Sequence, residues 1–304
     1  MNDQKTTWNI AGRDALAPLV AHIKLTRIPK VLYHYTTAQG LLGIIESKSI
    51  WASHIRHLND LSEIAYSNDL LNQAFNEFES ELKESQRAGF KLLRQVLEMY
   101  AIKAGKIRGD TFITAFSEKE DHLSQWERYS GARGYAIGFD LPETMTSSGG
   151  PIFNFVPIEY RPHVQLQILK DVLKIGFDAL LAVGDDHRTL ENLSEWANSY
   201  ANVLIVASHH FKNEAFSEEG EWRIATRTRS ETFDDIKFRV GQYGIIPYIA
   251  LDFASHAHLI VKKIFVAPTN YFDEAKNALE LRLLASGLDP MEIEIVESLV
   301  PLRT

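Results

Sequence analysis

This sequence contains strand-like and helix-like segments, and the order of these segments limits the folds that it can adopt. Short segments rich in aromatic and β-branched residues, typical of strands, occur near both ends of the chain and at its centre. Two long segments, 59–104 and 164–212, have apolar residues three and four positions apart, which is typical of amphipathic helices. Because strands and helices do not alternate one by one, a doubly wound parallel sheet is disfavoured. We predict an α+β fold with a mixed or antiparallel sheet core and helical insertions.

The same spacings set the expected bounds of each element. The predicted strands cover residues 31–36, 50–53, 111–117, 134–140, 221–228, 236–240, 247–253, 259–267 and 292–297. The predicted long helices cover about 59–84, 90–103, 164–183, 190–211 and 271–286. No internal repeat or low-complexity linker separates these elements, so we expect a single domain over residues 1–304. Its helical insertions are expected at about 59–104 and 164–212.

Composition excludes several classes of site. The 304 residues include no cysteine, which excludes disulfides, thiolate nucleophiles and thiolate metal ligands. The formal charge is 32 − 40 = −8, so no overall positive field favours nucleic acid. The histidines lack the spacings of metal sites, and no apolar run approaches the roughly 20 residues of a membrane helix. We expect a cytoplasmic protein with no metal and no membrane contact, since residues 1–13 also lack a signal-peptide core.

The first candidate site is a predicted strand that carries a histidine. Side chains alternate between the faces of a strand, so His34 and Thr36 share one face while Tyr33 and Tyr35 share the other. Thr37 follows where it can cap a short helix. One face can pack on that helix and the other can line a cleft. A histidine bonded to a backbone carbonyl in an ordinary sheet is the alternative.

The second candidate site is an acidic segment that enters a later predicted strand. If the strand includes all three residues, Glu219, Glu221 and Arg223 project on one face. Two carboxylates at this spacing repel each other unless a cation lies near, and Arg223 or Lys212 could supply it. Gly220 permits close approach of another backbone. An ordinary solvated acidic turn is the alternative.

Four further residues are candidates for the same cleft. Ser117 ends a predicted strand, where its hydroxyl either contacts a ligand or is structural. Trp126 either stacks on a ligand or anchors the core, and the core is favoured. Asn59 and Asp60 either bind a nucleotide or cap a helix in which Glu63 completes a capping box. The cap accounts for these residues without a ligand.

Three segments near the amino terminus resemble a known enzyme family. Tyr33-His-Tyr-Thr36, Leu41-Leu-x-Ile-Ile45 and Ile50-Trp-Ala-Ser53 resemble the opening of ADP-ribosyltransferases of the DarT kind. The resemblance implies an ADP-ribosyltransferase-like sheet core that binds NAD as a substrate. It also implies that NAD is cleaved between nicotinamide and ribose, without a metal.

The resemblance implies roles for several of the residues named above. His34 and Thr36 would hold the adenosine ribose, while Tyr35, Trp51 or Trp126 would stack on the nicotinamide. Glu221 would stabilise the oxocarbenium-like centre and bind the 2′-hydroxyl of the reacting ribose.

Further roles fall on charged residues. Glu219 would orient an acceptor, and Arg223, Arg128 or Lys212 would offset the phosphates of NAD. These roles require His34 and Glu221 to face one pocket.

A longer set of motifs resembles a bacterial and phage family of unknown function. The motifs are Tyr-His-Tyr-Thr at 33–36, Leu-Asn-Asp-x-x-Glu at 58–63, Ala-Phe-Ser at 115–117, Gln-Trp-x-x-Tyr at 125–129 and Glu-x-Glu-Trp-Arg at 219–223. We expect an NAD-dependent ADP-ribosyltransferase or NAD glycohydrolase, such as a toxin or phage-defence effector. Its acceptor is a protein, a nucleic acid or water. The alternative is a non-catalytic module that senses a nucleotide or binds a partner protein.

Overall fold

The computed structural model describes most of the chain as two compact units. The described residues are 16–24, 26–27, 29–57, 62–107, 111–130, 134–140, 155–182, 200–201, 203–204, 206–207, 209–227, 233–241, 244–252 and 260–301. Unit 1 comprises Met1–Arg27, Asn59–Gly109 and Ile158–Phe216. Unit 2 comprises Ile28–Leu58, Asp110–Pro157 and Ser217–Thr304. The predicted insertions fall almost wholly in unit 1, and the assignment of a single domain stays a prediction.

Unit 2 contains the sheet, whose strands form in the segments that are rich in β-branched and aromatic residues. In chain order they are β1 Val31–Thr37, β2 Ser49–His54, β3 Thr111–Ser117, β4 Gly134–Asp140, β5 Phe155–Pro157, β6 Glu221–Arg227, β7 Ile236–Gly241, β8 Gly244–Asp252, β9 Ile260–Val266 and β10 Glu294–Glu297. The main path runs β10-β9-β4-β1-β3-β2-β8-β7, and β6 pairs with both β3 and β5. Only β9 and β10 pair in parallel among the described strands. The predicted mixed α+β architecture is therefore confirmed.

Strand β3 lies at the junction of this sheet. One of its edges pairs with β6 along its whole length. Its other edge is shared, because Ser117 pairs with β1 while Phe112 and Ile113 pair with β2. As a result, β3 brings strands that are far apart in the sequence into one sheet.

Two helices cover one face of this sheet. They are α2, Ala38–Ser47, and α6, Phe272–Ala285. Helix α2 begins where expected, because the Thr37 hydroxyl accepts a hydrogen bond from the Gly40 amide at 3.1 Å. Apolar side chains from both helices pack on inward-facing residues of the sheet; the buried members are Leu32, Leu41, Ile44, Ile45, Ile50, Ala52, Phe112, Phe116, Ile137, Phe139, Trp222, Ile224, Ile249, Leu251, Ile264, Leu279, Leu283 and Ile293. We call this face the core face.

The opposite face of the sheet is less uniformly apolar. Tyr33 and Tyr35 pack there with Trp126 and Phe265. Trp126 lies in a π-helical turn, Trp126–Ser130, that follows the helical turn Leu123–Gln125. We call this the open face, because parts of it are exposed and polar.

Unit 1 is built from helices around its own aromatic core. Its main helices are α1 Ala17–Lys24, α3 Ser62–Glu81, α4 Glu84–Ile107 and α5 Pro162–Leu181. Phe90 is fully buried, with its ring 5.1 Å from that of Phe78 and 5.5 Å from that of Phe177. These contacts explain the three- and four-residue apolar spacing of the segments that form the unit. No described helix in either unit is long and apolar enough to span a bilayer.

Two sequence expectations concern tryptophans that lie on strands. Both Trp51 and Trp222 are predicted to be buried, because their strand segments are flanked by apolar residues. Trp222 is 3% exposed on the core face, but Trp51 is 37% exposed, so its predicted burial is wrong. Trp51 projects onto the open face, and strand alternation alone does not reveal which face a helix covers.

Replacing each tryptophan by alanine should separate the two environments. We expect Trp222→Ala to lower the free energy of unfolding by about 3–5 kcal/mol, because it leaves a cavity in the core face. Trp51→Ala serves as the control and should cost clearly less. Denaturant unfolding followed by fluorescence measures both, and equal losses would contradict this account of the two faces.

Candidate active site

Strand pairing aligns one residue from each of three strands. Tyr33 on β1 lies opposite Ser117 on β3, and Ser117 lies opposite Glu221 on β6. Neighbouring strands are about 4.8 Å apart, so β1 and β6 flank β3 closely although some 185 positions separate them in the sequence. The segments around His34 and Glu221 are thus brought together as predicted.

The side chains of His34 and Glu221 nevertheless lie on opposite faces of the sheet. Directly opposed residues of antiparallel strands share a face, so Tyr33, Ser117 and Glu221 all project onto the open face. His34 is one residue from Tyr33 and therefore projects onto the core face. The expectation that His34 and Glu221 face one pocket is wrong.

The contacts of His34 are those of a structural residue. Its Nδ1 donates to the Ala115 carbonyl at 2.9 Å, and its ring lies 5.7 Å from that of Phe116. Burial lowers the pKa of the imidazole, which outweighs the opposite effect of this hydrogen bond. Thr36 shares the core face with His34, since it pairs with Tyr135. The backbone-bonded histidine was the alternative that the sequence left open.

Glu221 and Arg223 form a buried ion pair on the open face. Arg223 Nε lies 2.5 Å from Glu221 Oε1, and Arg223 Nη2 lies 3.1 Å from Oε2. The two side chains are 7% and 4% exposed. A two-point contact with a guanidinium fixes the plane of the carboxylate as well as its position. Glu221 is thus an oriented carboxylate that is paired with Arg223 within unit 2.

Glu219 also lies near Ser117, but on a different element from the predicted strand. It ends the 3-10 helix Glu214–Glu219 instead of lying on β6, so it does not continue the strand alternation of Glu221. Its carboxylate accepts from Arg128 Nη1 at 2.5 Å, and its carbonyl accepts from the Ser117 hydroxyl at 2.6 Å. The predicted common strand face for Glu219 with Glu221 and Arg223 is therefore wrong, although Glu219 contacts Ser117 and Glu221 lies opposite it.

Gly220 lets the chain turn between the 3-10 helix that ends at Glu219 and strand β6, which begins at Glu221. Its φ of +49° lies in the left-handed region, and its carbonyl accepts from the Glu118 amide at 2.9 Å. A β-carbon at this position would lie 2.6 Å from Glu118 Cγ. The predicted close backbone approach is confirmed here, and it explains why Glu219 and Glu221 end on different elements.

Two of the proposed stacking residues are buried in packing. Trp126 is fully buried, with its Nε1 donating to Asp121 at 2.7 Å and its ring 4.9 Å from that of Tyr35. The Tyr35 hydroxyl donates to the Lys119 carbonyl at 2.8 Å, and burial raises the pKa of this phenol. Trp51 differs from both because its side chain is partly exposed.

The remaining candidates lie in unit 1. Asn59 and Asp60 are outside the described residues. Glu63 is described, and its carboxylate lies 3.1 Å from the ammonium of Lys212, which is 3% exposed. Lys212 also lies 5.1 Å from the ring centroid of Phe216. Arg223 is thus a cation beside Glu221 in unit 2, and Lys212 pairs with Glu63 in unit 1.

A separate apolar cavity lies in unit 2 on the core face. It has a volume of about 530 Å³ and lies between α2, β9 and α6, with Ile44, Ile264 and Leu283 among its lining residues. The ionisable groups at its edge include Lys48, Lys262, Asp289 and Glu292. Because Glu221 projects onto the opposite face, this cavity is distinct from the acidic cluster.

Sequence reasoning did not identify the alignment of Tyr33 with Ser117 and Glu221. Strand alternation could have placed Tyr33 and Glu221 on one face only if the pairing register had been known. The partnership of Arg128 with Glu219 depends on the π-helical turn, for which the sequence offers no comparable signal.

Replacing His34 should alter how stability depends on pH. Because burial lowers the pKa of His34 in the folded state, the unfolded chain takes up a proton below about pH 6.5 that the folded chain does not. Stability is therefore lost as the pH falls through that value. We expect His34→Gln to lose less stability than the wild type between pH 7.5 and 5.

Urea unfolding at both pH values measures this difference. The exposed His57 supplies the matched control, and His57→Gln should follow the wild type. Equal losses in the wild type and His34→Gln would show that His34 does not contribute to the pH dependence.

Comparisons with known proteins give a family match without an activity. No curated protein and no solved structure matches the chain. The resemblance of the amino-terminal segment to DarT-like enzymes is accordingly unsupported. Residues 125–224, which include Trp126, Glu219, Glu221 and Arg223, match the model of a family described as "Protein of unknown function (DUF2971)". This match, over about a third of the chain, confirms the resemblance to an uncharacterised domain family.

Proposed function

We propose that unit 2 has an ADP-ribosyltransferase-like core that cleaves the nicotinamide–ribose bond of NAD at Glu221. ADP-ribose then passes to a protein or nucleic-acid acceptor, or to water in an NAD glycohydrolase. The observation that carries the proposal is the buried, oriented Glu221 carboxylate beside Ser117 and Glu219 on the open face. In a toxin or phage-defence effector, this reaction would act by consuming NAD or by modifying a target.

The chemistry explains why such a carboxylate is suited to this reaction. When the C1′–N bond breaks, its electron pair leaves with nicotinamide and positive charge develops at C1′ and the ring oxygen. A fixed anion stabilises that charge without reorganising during the step. The oxygen of the acceptor then bonds to C1′, and its proton passes to a base. Glu221 is assigned the first role, and Glu219 is assigned the orientation of the acceptor.

Arg128 supports access to this cluster and binding of an anionic substrate. Its side chain is 45% exposed while the Glu219 carboxylate that it contacts is 4% exposed. Arg128 therefore connects solvent with the buried acidic group, and its guanidinium can meet a phosphate of NAD at the same position. His34 and Thr36 have no substrate contact in this reaction, since both project onto the core face.

A non-catalytic module that senses a nucleotide is the second candidate. The observation that favours it is that both carboxylates already have arginine partners. Buried ion pairs of this kind also occur where an interaction is purely structural. The two candidates differ in whether removal of the Glu221 charge changes a rate or only an affinity.

Glu221→Gln is the variant that distinguishes these functions. Glutamine keeps the shape of the side chain and much of its hydrogen bonding, so NAD should still bind. It removes the anion that matters as the oxocarbenium develops, and we expect nicotinamide release to fall about 10²–10³-fold. Nicotinamide release by the purified full chain, with and without acceptor proteins and oligonucleotides, measures the rate. Calorimetry measures the affinity for NAD.

Glu218→Gln is the matched control because Glu218 is exposed and lies in the same short helix. It should release nicotinamide as the wild type does, and thermal melting should show that both variants are folded. A Glu221→Gln variant as fast as an active wild type would reject the mechanism. NAD binding without nicotinamide release under every acceptor condition would favour the sensing module.

A further inference from the structure

A second polar group of residues lies on the open face, at the β2–β8–β7 end of the sheet. Trp51 and Ser53 of β2 lie opposite Ala250 and Tyr248 of β8. Tyr248 in turn lies opposite Lys237 of β7, and the register places Arg239 on the same face. Trp51, Tyr248 and Arg239 thus come from three neighbouring strands. We call them the aromatic–arginine patch.

The two aromatic rings of the patch are stacked, and one of them reaches solvent. The ring centroids of Trp51 and Tyr248 lie 4.4 Å apart with an interplanar angle of 29°. Tyr248 is 9% exposed, whereas Trp51 is 37% exposed. Tyr248 therefore supports Trp51 from within the sheet, and the rigid exposed indole offers area for a planar ligand.

Arg239 supplies a cation whose hydrogen-bonding capacity is largely unused by the described residues. Its Nη2 donates to the Ser53 hydroxyl at 3.1 Å, and its guanidinium carbon lies 6.0 Å from the Trp51 ring centroid. Its Nε is buried and has no hydrogen-bond partner among the residues that the structure describes. No carboxylate within the described part of the chain forms an ion pair with it. Burial lowers the pKa of Arg239.

The charges around the patch favour an anion. Lys237 is exposed, and its position opposite Tyr248 adds a second cation on the same face. Asp252 is on this face as well, two residues along β8 from Ala250, which lies opposite Trp51. It is six residues along β8 from Ile246, which lies opposite Arg239, or roughly 20 Å. The balance beside Arg239 is therefore positive in a chain whose formal charge is −8.

We propose that the aromatic–arginine patch binds a nucleotide unit, with the base stacked on Trp51 and the phosphate held by Arg239 and Lys237. The unit is either a free mononucleotide or an unpaired nucleotide of a single strand, because both present a planar base beside a phosphate. Stacking accepts any base, and a guanidinium binds phosphate through two of its donors. A purely structural stack would leave the exposed part of Trp51 and the unused donors of Arg239 without a role.

This proposal is independent of the reaction assigned to Glu221. Ser53 pairs with Ile113, whereas Glu221 pairs with Ser117, four residues further along β3. The two sites are therefore about 13 Å apart along the strand. Either site can exist without the other, and the variants that test them do not overlap.

The test uses the full chain with three probes: adenosine monophosphate, ribose 5-phosphate and a fluorescein-labelled ten-nucleotide thymidine strand. Calorimetry measures the first two and fluorescence anisotropy measures the third. We expect Trp51→Ala to weaken binding of a nucleotide probe by about 5- to 100-fold, as stacking losses of this kind do. Arg239→Gln should weaken binding by about tenfold and reduce its dependence on salt.

Phe238→Ala is the matched control, because Phe238 is next to Arg239 on β7, projects from the opposite face and is 66% exposed. It should bind as the wild type does. Stronger binding of the mononucleotide would identify the free nucleotide as the ligand, and stronger binding of the strand would identify nucleic acid. Binding of neither, equal binding of ribose 5-phosphate, or binding unaffected by both Trp51→Ala and Arg239→Gln would overturn the proposal.

Discussion

The arrangement of unit 2 depends on the pairing of β3 with three strands. Its hydrogen bonds to β6 extend along all seven residues, while its other edge is shared by β1 and β2. Backbone groups on a buried strand must find partners, so this pairing is obligatory once the strand is covered. Through it, the ends of β1 and β6 come together at Ser117. The acidic cluster then lies at the Ser117 end of β3, and β2, the strand that carries Trp51, pairs near the other end of β3.

The two-residue period of a strand decides which side chains can act together. Tyr33 and His34 are adjacent in the sequence, yet Tyr33 projects onto the open face and His34 projects onto the core face. Moving the β1 register by one residue would exchange them and would also expose Leu32, which is fully buried. The buried apolar residues therefore fix His34 away from Glu221. This constraint is stronger than the attraction of any polar group for a ligand, because it sums over every core-facing residue of the strand.

Much of the fold follows from sequence patterns that act locally. Thr111–Ser117 and Gly134–Asp140 are strands with the predicted bounds, and Thr37 caps its helix as expected. These features depend on β-branched residues, aromatic residues and one hydroxyl, each acting within a few positions. The sequence also predicts that Glu221 and Arg223 share one face of the sheet, because side chains two positions apart on a strand project to the same side.

The features that sequence reasoning missed depend on long-range pairing. The register of Tyr33 with Ser117 involves a separation of 84 residues, and no local signal specifies it. Trp51 has apolar neighbours on both sides, but its exposure depends on which face α2 and α6 cover. Arg128 reaches Glu219 from a π-helical turn whose geometry is not encoded by a simple period.

The two cationic groups of the open face differ in a way that bears on their roles. Arg223 is 4% exposed and engages Glu221 through two nitrogens, so its charge is satisfied within the fold. Removing Arg223 would leave the buried Glu221 carboxylate uncompensated, which is strongly destabilising. Arg239 is also partly buried but has an aromatic ring and a hydroxyl beside it instead of a carboxylate. A desolvated cation with neutral neighbours is costly for folding alone, and a bound anion would recover that cost. The same physical rule therefore makes Arg223 an internal partner that orients a carboxylate and makes Arg239 a receptor for an anion from outside.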